Sequence, residues 1–171
     1  STLGRSVRQH TSRTRPDWTR ADRRADSHPD FPRPGVRSER PEIAVVVDTS
    51  SSMSKQLLDV AITEINSLLR RAGITELTVV VCATTAVRPQ RVRRLADLTL
   101  RGGGATDLRV GISAAARCRP TPSLIVVLTD GLTPWPSSAP GRTQLIAVVI
   151  GIHAGLPTGE RITALRIREQ Q

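Results

Sequence analysis

Four short runs of Val, Ile, Leu and Ala constrain this chain most: Ile43-Ala44-Val45-Val46-Val47, Leu77 to Ala83, Leu124-Ile125-Val126-Val127-Leu128 and Leu145 to Ile150. They are strand-length, rich in β-branched residues, and apolar with little alternation. Such strands are buried on both faces, which is the situation of a parallel sheet covered by helices. The intervening sequence supplies those helices. Leu57, Leu58, Ala61, Ile62, Ile65, Leu68 and Leu69 make one apolar face, with Ser54 placed to cap its start and Gly73 to end it. Leu108, Ile112 and Ala115 or Ala116 give a shorter amphipathic helix, capped by Thr106 or Asp107. Strands alternating with helices imply right-handed βαβ units. The expected fold is α/β: a Rossmann-like, doubly wound, mainly parallel sheet with helices on both faces. The only aromatics are Trp18, Phe31 and Trp135, so the core must be aliphatic.

Between 84 and 94, Pro89 and Arg88, Arg91, Arg93 and Arg94 suit a short strand at a sheet edge, where a missing donor and charge are tolerated. Pro134, Pro136, Pro140 and Gly141 make the stretch before Leu145 a short loop, and Gly151 to Gly159 another. Leu165 and Ile167 alternate as in a strand, while Ile162 and Leu165 could pair on a helix; a final strand is the preferred reading. Residues 1–41 differ from all of this. They hold ten Arg against five acids and five Pro, with almost no aliphatic side chain after Val7. They cannot bury enough apolar surface to offset the entropy of ordering. The expected organisation is a disordered basic arm or linker over 1–41 and one domain over 42–171. The start at Ser1 rather than Met suggests a fragment or a processed form.

The formal charge is +10, and all basic residues but Lys55 are Arg. No aromatics alternate with arginines as a single-strand stacking platform requires, so nucleic acid is the lesser reading. No apolar run approaches the roughly 18 residues of a membrane span, and no secretory pattern is present. Cys82 and Cys118 lack metal or redox spacing and read as free thiols of a cytoplasmic protein.

Parallel strands point their carboxyl ends to one edge. Asp48 and Asp130 each close an apolar run, and the loop Gly102 to Asp107 enters a helix at that edge too. Asp48, Ser50, Ser52, Thr106 and Asp130 should therefore converge. All are hard oxygen donors, with no paired His or Cys, which favours Mg²⁺, Mn²⁺ or Ca²⁺ over zinc or copper.

Asp48-Thr49-Ser50-Ser51-Ser52, Gly104-Ala105-Thr106-Asp107 and Thr129-Asp130-Gly131 together resemble the metal-ion-dependent adhesion site of von Willebrand factor A-like (VWA-like) domains, over residues 42 to about 152. The phrases Pro41 to Asp48 and Gly131 to Pro136 look most like the bacterial carboxyl-terminal VWA-like domain that follows a putative metallopeptidase-like domain. The resemblance implies that Ser50 and Ser52 coordinate the metal. Thr106 would do so when a partner is engaged, and Asp48 and Asp130 would act through water. It further implies a non-catalytic interaction module whose open metal position takes an Asp or Glu of a partner protein, with an AAA ATPase of the MoxR or chelatase type among the candidates. Ser51 stands where the family usually carries Gly.

Rival readings rest on single features. Asp48 and the serines could merely cap the next helix. The glycine run lacks the Gly-Lys-Ser/Thr of a phosphate loop. A serine nucleophile at Ser50 or Ser52 would need a base, and His153 is the only His in the predicted domain. A hydrolase would also draw on an absent amino-terminal domain, but no His-Glu-x-x-His occurs here. Polyanion binding would use the arm and the strip at Arg88 to Arg94.

Overall fold

A computed structural model describes residues 13–21, 34–39, 42–50, 55–71, 73–82, 89–93, 107–151 and 155–167. In chain order its elements are β1 (Arg13–Ala21), β2 (Pro34–Glu39), β3 (Ile43–Asp48), α1 (Lys55–Arg71), β4 (Leu77–Cys82), β5 (Gln90–Val92), α2 (Leu108–Ala116), β6 (Leu124–Thr129), β7 (Gln144–Ile150) and β8 (Ile162–Ile167). β3 to β8 form one sheet in the order β5-β4-β3-β6-β7-β8. All its neighbours are parallel except β5, which runs antiparallel to β4 at the edge. This is the doubly wound order: the chain builds outward from β3 to one side, then returns to build from β6 on the other.

The apolar runs are strands because both of their faces are used. Val45 and Val47 of β3 and Val126 and Leu128 of β6 pack with Leu58, Ile62, Ile65 and Leu69 of α1. Val46, Ile125, Val127 and Ala147 face the other way, against Leu108, Ile112 and Ala115 of α2. Each fully buried aliphatic side chain contributes about 1.5–3 kcal/mol, so these two layers dominate the stability of the domain. Trp135 lies half-buried over the α2 layer.

Local chemistry sets the helix ends. Gly73 at φ +73° donates to the Arg70 carbonyl, and Ile74 donates to that of Leu69, both at 3.0 Å. Ile74 then packs against the core that contains Leu69, completing a glycine-terminated helix. Asp107 is the cap of α2, its side chain accepting from the Arg109 amide. One turn on, a Cβ at Gly111 would fall 1.8 Å from the Cys82 sulfur and 3.0 Å from Val46 Cγ1. Only glycine lets α2 lie this close to β3 and β4.

The edge strand stands where Pro89 and the arginines suggested, with Arg91 bridging Glu42 and Glu76 at 3.1 and 3.4 Å. The ambiguous carboxyl-terminal segment is a strand, β8, paired parallel to β7. Residues 130–143 hold turns and no helix. Within residues 1–41, β1 and β2 pair antiparallel as a separate two-stranded ribbon, with an irregularity between Asp17 and Ala21. Its pairing rests on backbone hydrogen bonds, which need no apolar pattern and leave none to read; a ribbon of two strands is marginal in water by itself. Among the described residues no helix is long and apolar enough to cross a membrane.

Candidate metal site at the switch point

The strand order reverses between β3 and β6, and ligands of open α/β sheets bind outside the carboxyl ends at such a point. Val47 pairs with Leu128, so the next residues, Asp48 and Thr129, meet across the ladder. Both are fully buried. The Thr129 hydroxyl donates to Asp48 Oδ2 at 2.6 Å and accepts from the Gly131 amide at 3.0 Å. The other carboxylate oxygen, Oδ1, accepts from the Ser50 amide at 2.9 Å. Thr49 fastens the exit of β3 to the end of β4: its amide and its hydroxyl both donate to the Cys82 carbonyl, at 3.2 and 2.8 Å. The turn after β3 is thus built from its own polar side chains, and it leaves Ser50 half-buried at the rim.

Asp130 follows β6 at the same edge. Its Oδ1 accepts from the Leu132 amide at 3.0 Å, while Oδ2 is buried without a hydrogen-bond partner. Gly131 holds the turn between them at φ +82°, a conformation that disfavours any side chain. Among the described residues neither Asp48 nor Asp130 has a cationic partner. Two carboxylates lie at one sheet edge, one of them with a buried oxygen lacking any donor. That arrangement is costly unless positive charge or water reaches it. Its donors are oxygens only, which suits a hard divalent cation. No three His, Cys, Asp or Glu side chains converge among the described residues, so hydroxyls would have to complete any such site.

Of the five residues singled out from sequence, Asp48, Ser50 and Asp130 stand at this edge. Ser52 and Thr106 lie outside the described residues, as do Ser51, Ser54 and His153. Asp107 caps α2 close to this edge, since the charges of Asp48 and Asp107 both act on Cys82. Burial first, and those two charges second, push the Cys82 thiol up to about 11, against a smaller opposing effect of its hydrogen bond with Gly111. It is therefore a protonated core thiol at neutral pH. Asp107 is held below the usual carboxylate range, chiefly by hydrogen bonds from the Arg109 side chain at 3.0 and 2.9 Å. Sequence reasoning missed Thr129 as a member of the site. Its signal was a hydroxyl closing an otherwise apolar strand directly before Asp130.

The family model of the VWA-like domain (DUF2201) matches residues 43–164. An uncharacterized protein of Thermotoga maritima is 38% identical over 123 residues, which are 70% of this chain and 30% of that protein. The chain thus spans about 30% of the length of that relative. Among solved structures, an aerotolerance-related membrane protein of Bacteroides fragilis, carrying multiple mutations to serine, is similar with TM-score 0.46 and 20% identity, over 64% of this chain and 67% of that one. The conserved hypothetical protein BatB of Bacteroides thetaiotaomicron is similar with TM-score 0.48 and 19% identity, over 66% and 67%. With a family match that runs from the first core strand into the last, the chain belongs to the VWA-like domain (DUF2201) family.

Proposed function

We propose that this chain is a non-catalytic protein-interaction module that holds Mg²⁺ (or Mn²⁺ or Ca²⁺) at Asp48, Ser50, Ser52, Thr106 and Asp130 and so receives an Asp or Glu side chain of a partner protein. The observation that carries the reading is the partnerless, buried Oδ2 of Asp130 beside the buried Asp48. The fixed turn around Asp48 supports it too, because a carboxylate already restrained by Thr129 and Ser50 loses little freedom on meeting a cation. When bound, the cation supplies an open electrophilic position for the partner's carboxylate. The protein's part is to hold the two aspartates in place and to present neutral hydroxyls, which leave the ion's charge only partly compensated. Metal and partner then bind with positive coupling, each raising the affinity of the other by the same factor. A MoxR-type AAA ATPase, the partner class implied by the family resemblance, is the first to test.

Isothermal titration of the chain with MgCl₂ and MnCl₂, after treatment with EDTA, tests the metal. Binding is expected for the wild type and strongly weakened in Asp130→Ala and Asp48→Asn. Equal heats in wild type and both variants would remove the claim. Pull-down of the ATPase in Mg²⁺ and in EDTA then tests the partner separately.

A further inference from the structure

The opposite end of the sheet carries a second feature, independent of the metal reading. As α1 leaves its last turn and the chain enters β4, a cavity of about 380 Å³ is lined by Arg70, Gly73, Ile74, Thr75 and Arg93. A second cavity, of about 460 Å³, is lined by Thr63, Asn66, Ser67 and Arg70. Those four residues recur at helical spacing and form one polar stripe along the carboxyl-terminal half of α1. Arg70 lines both cavities, so they adjoin at its side chain, one along the helix and the other between Gly73 and Arg93; together they are taken as one groove.

Both arginines are exposed, and among the described residues neither guanidinium has a hydrogen-bond or ion-pair partner. Glu76, one residue past Thr75, is paired with Arg91, which also meets Glu42. Guanidinium groups free of partners are suited to bidentate capture of carboxylates. Among the described residues that line it there is no aromatic ring on which a base could stack. A chain of net charge +10 also draws acidic segments from a distance.

We propose that this groove is a second partner site, which takes an extended Asp- or Glu-rich peptide segment of another protein. The domain would then be an adaptor with two acid-reading ends. One depends on metal, and the other depends on Arg70 and Arg93 and is sensitive to salt.

The test is fluorescence anisotropy of a fluorescein-labelled hexaglutamate peptide with the full chain, in EDTA so that the switch-point site does not contribute. Saturable binding is expected, falling as NaCl rises from about 50 to about 300 mM. Arg70→Ala/Arg93→Ala should weaken it by about tenfold or more, while its melting curve stays close to wild type. If that variant unfolds, Arg70→Gln/Arg93→Gln is used under the same criterion. Arg117→Ala/Arg142→Ala carries the same change in net charge and should bind as wild type. The proposal is overturned by any of four results. These are no saturable binding, equal loss in the control variant, complete displacement by millimolar inorganic phosphate, and an oligodeoxynucleotide that binds as tightly with the same dependence on Arg70 and Arg93.

Discussion

Replacing Thr129 with Val tests whether the carboxylate of Asp48 is held in the way the fold suggests. The change keeps the shape of a fully buried side chain and deletes only its hydroxyl. Two bonds go with it: the 2.6 Å donation to Asp48 Oδ2 and the acceptance from the Gly131 amide at 3.0 Å. A hydrogen bond to an ionised group is worth about 1.5–3 kcal/mol, and the second loss adds up to about 1 kcal/mol because Gly131 is half-buried and water can reach it. The added methyl recovers part of this, leaving a net loss of about 2–3 kcal/mol. Thr129→Ser is the control: it deletes a buried methyl, costing about 1 kcal/mol, and keeps both bonds. At about 3 °C per kcal/mol for a chain of this size, the Val variant should melt about 6–9 °C below wild type and the Ser variant about 3 °C below. Circular dichroism during heating and urea titration, both in EDTA, reads the order directly. EDTA matters because a bound ion would add its own stabilisation to whichever variants still bind it. A Val variant as stable as the Ser variant, or more so, would refute the reasoning, since Asp48 could not then be relying on Thr129 for a charge-assisted bond.

Two further tests address the packing and charge around the site. Gly111→Ala gains about 1 kcal/mol of helix propensity, yet its methyl would meet the Cys82 sulfur at 1.8 Å. A net loss of about 2 kcal/mol or more is expected, and Cys82→Ala in the same chain should relieve at least about 1 kcal/mol of it; additive effects in urea titrations would contradict the close approach. For Asp107, whose folded pKa lies below its ordinary value of 3.8, the stabilising effect of Arg109 is present above that range and is lost as pH falls through the folded value. Carboxyl-carbon NMR titration of Arg109→Ala should move the Asp107 midpoint upward, and an unmoved midpoint would dismiss the pairing.

The parts of this fold that were legible in the sequence are those where burial writes a pattern. β3, β6 and β7 are apolar on both faces, which announces a covered parallel sheet. Parallelism then places Asp48 and Asp130 at one edge without any coordinates. The face of α1 was equally readable because Leu58, Ile62, Ile65 and Leu69 repeat at the helical period. What escaped depends on geometry between distant segments. The bond from Thr129 to Asp48 needs the register of two strands 81 residues apart. The fit of Gly111 over Cys82 needs the separation of a helix from the sheet. β8 was ambiguous because every residue in it is only partly buried, so neither period dominates.

The charge balance gives the two aspartates their weight. A chain with 25 basic residues against 15 acidic ones has ample means to neutralise a carboxylate, and elsewhere it does so: Arg91 holds Glu42 and Glu76, Arg109 holds Asp107, and Arg161 holds Glu160. Among the described residues, the fully buried Asp48 and the half-buried Asp130, with its buried Oδ2, stand at the switch point with no arginine partner. The far field of a +10 molecule repels cations, so only a local reversal of sign can hold one. The hydroxyl of Thr129 and the amides of Ser50 and Leu132 orient these carboxylates without cancelling their charge, because neutral donors supply dipoles and no net positive charge. The attraction of a carboxylate for a divalent ion is stronger in a medium less polarisable than water than on an open surface. A structural cap would need one aspartate and would leave it exposed. Here one fully buried aspartate closes β3, and a second, with a buried Oδ2, follows β6 at the same edge.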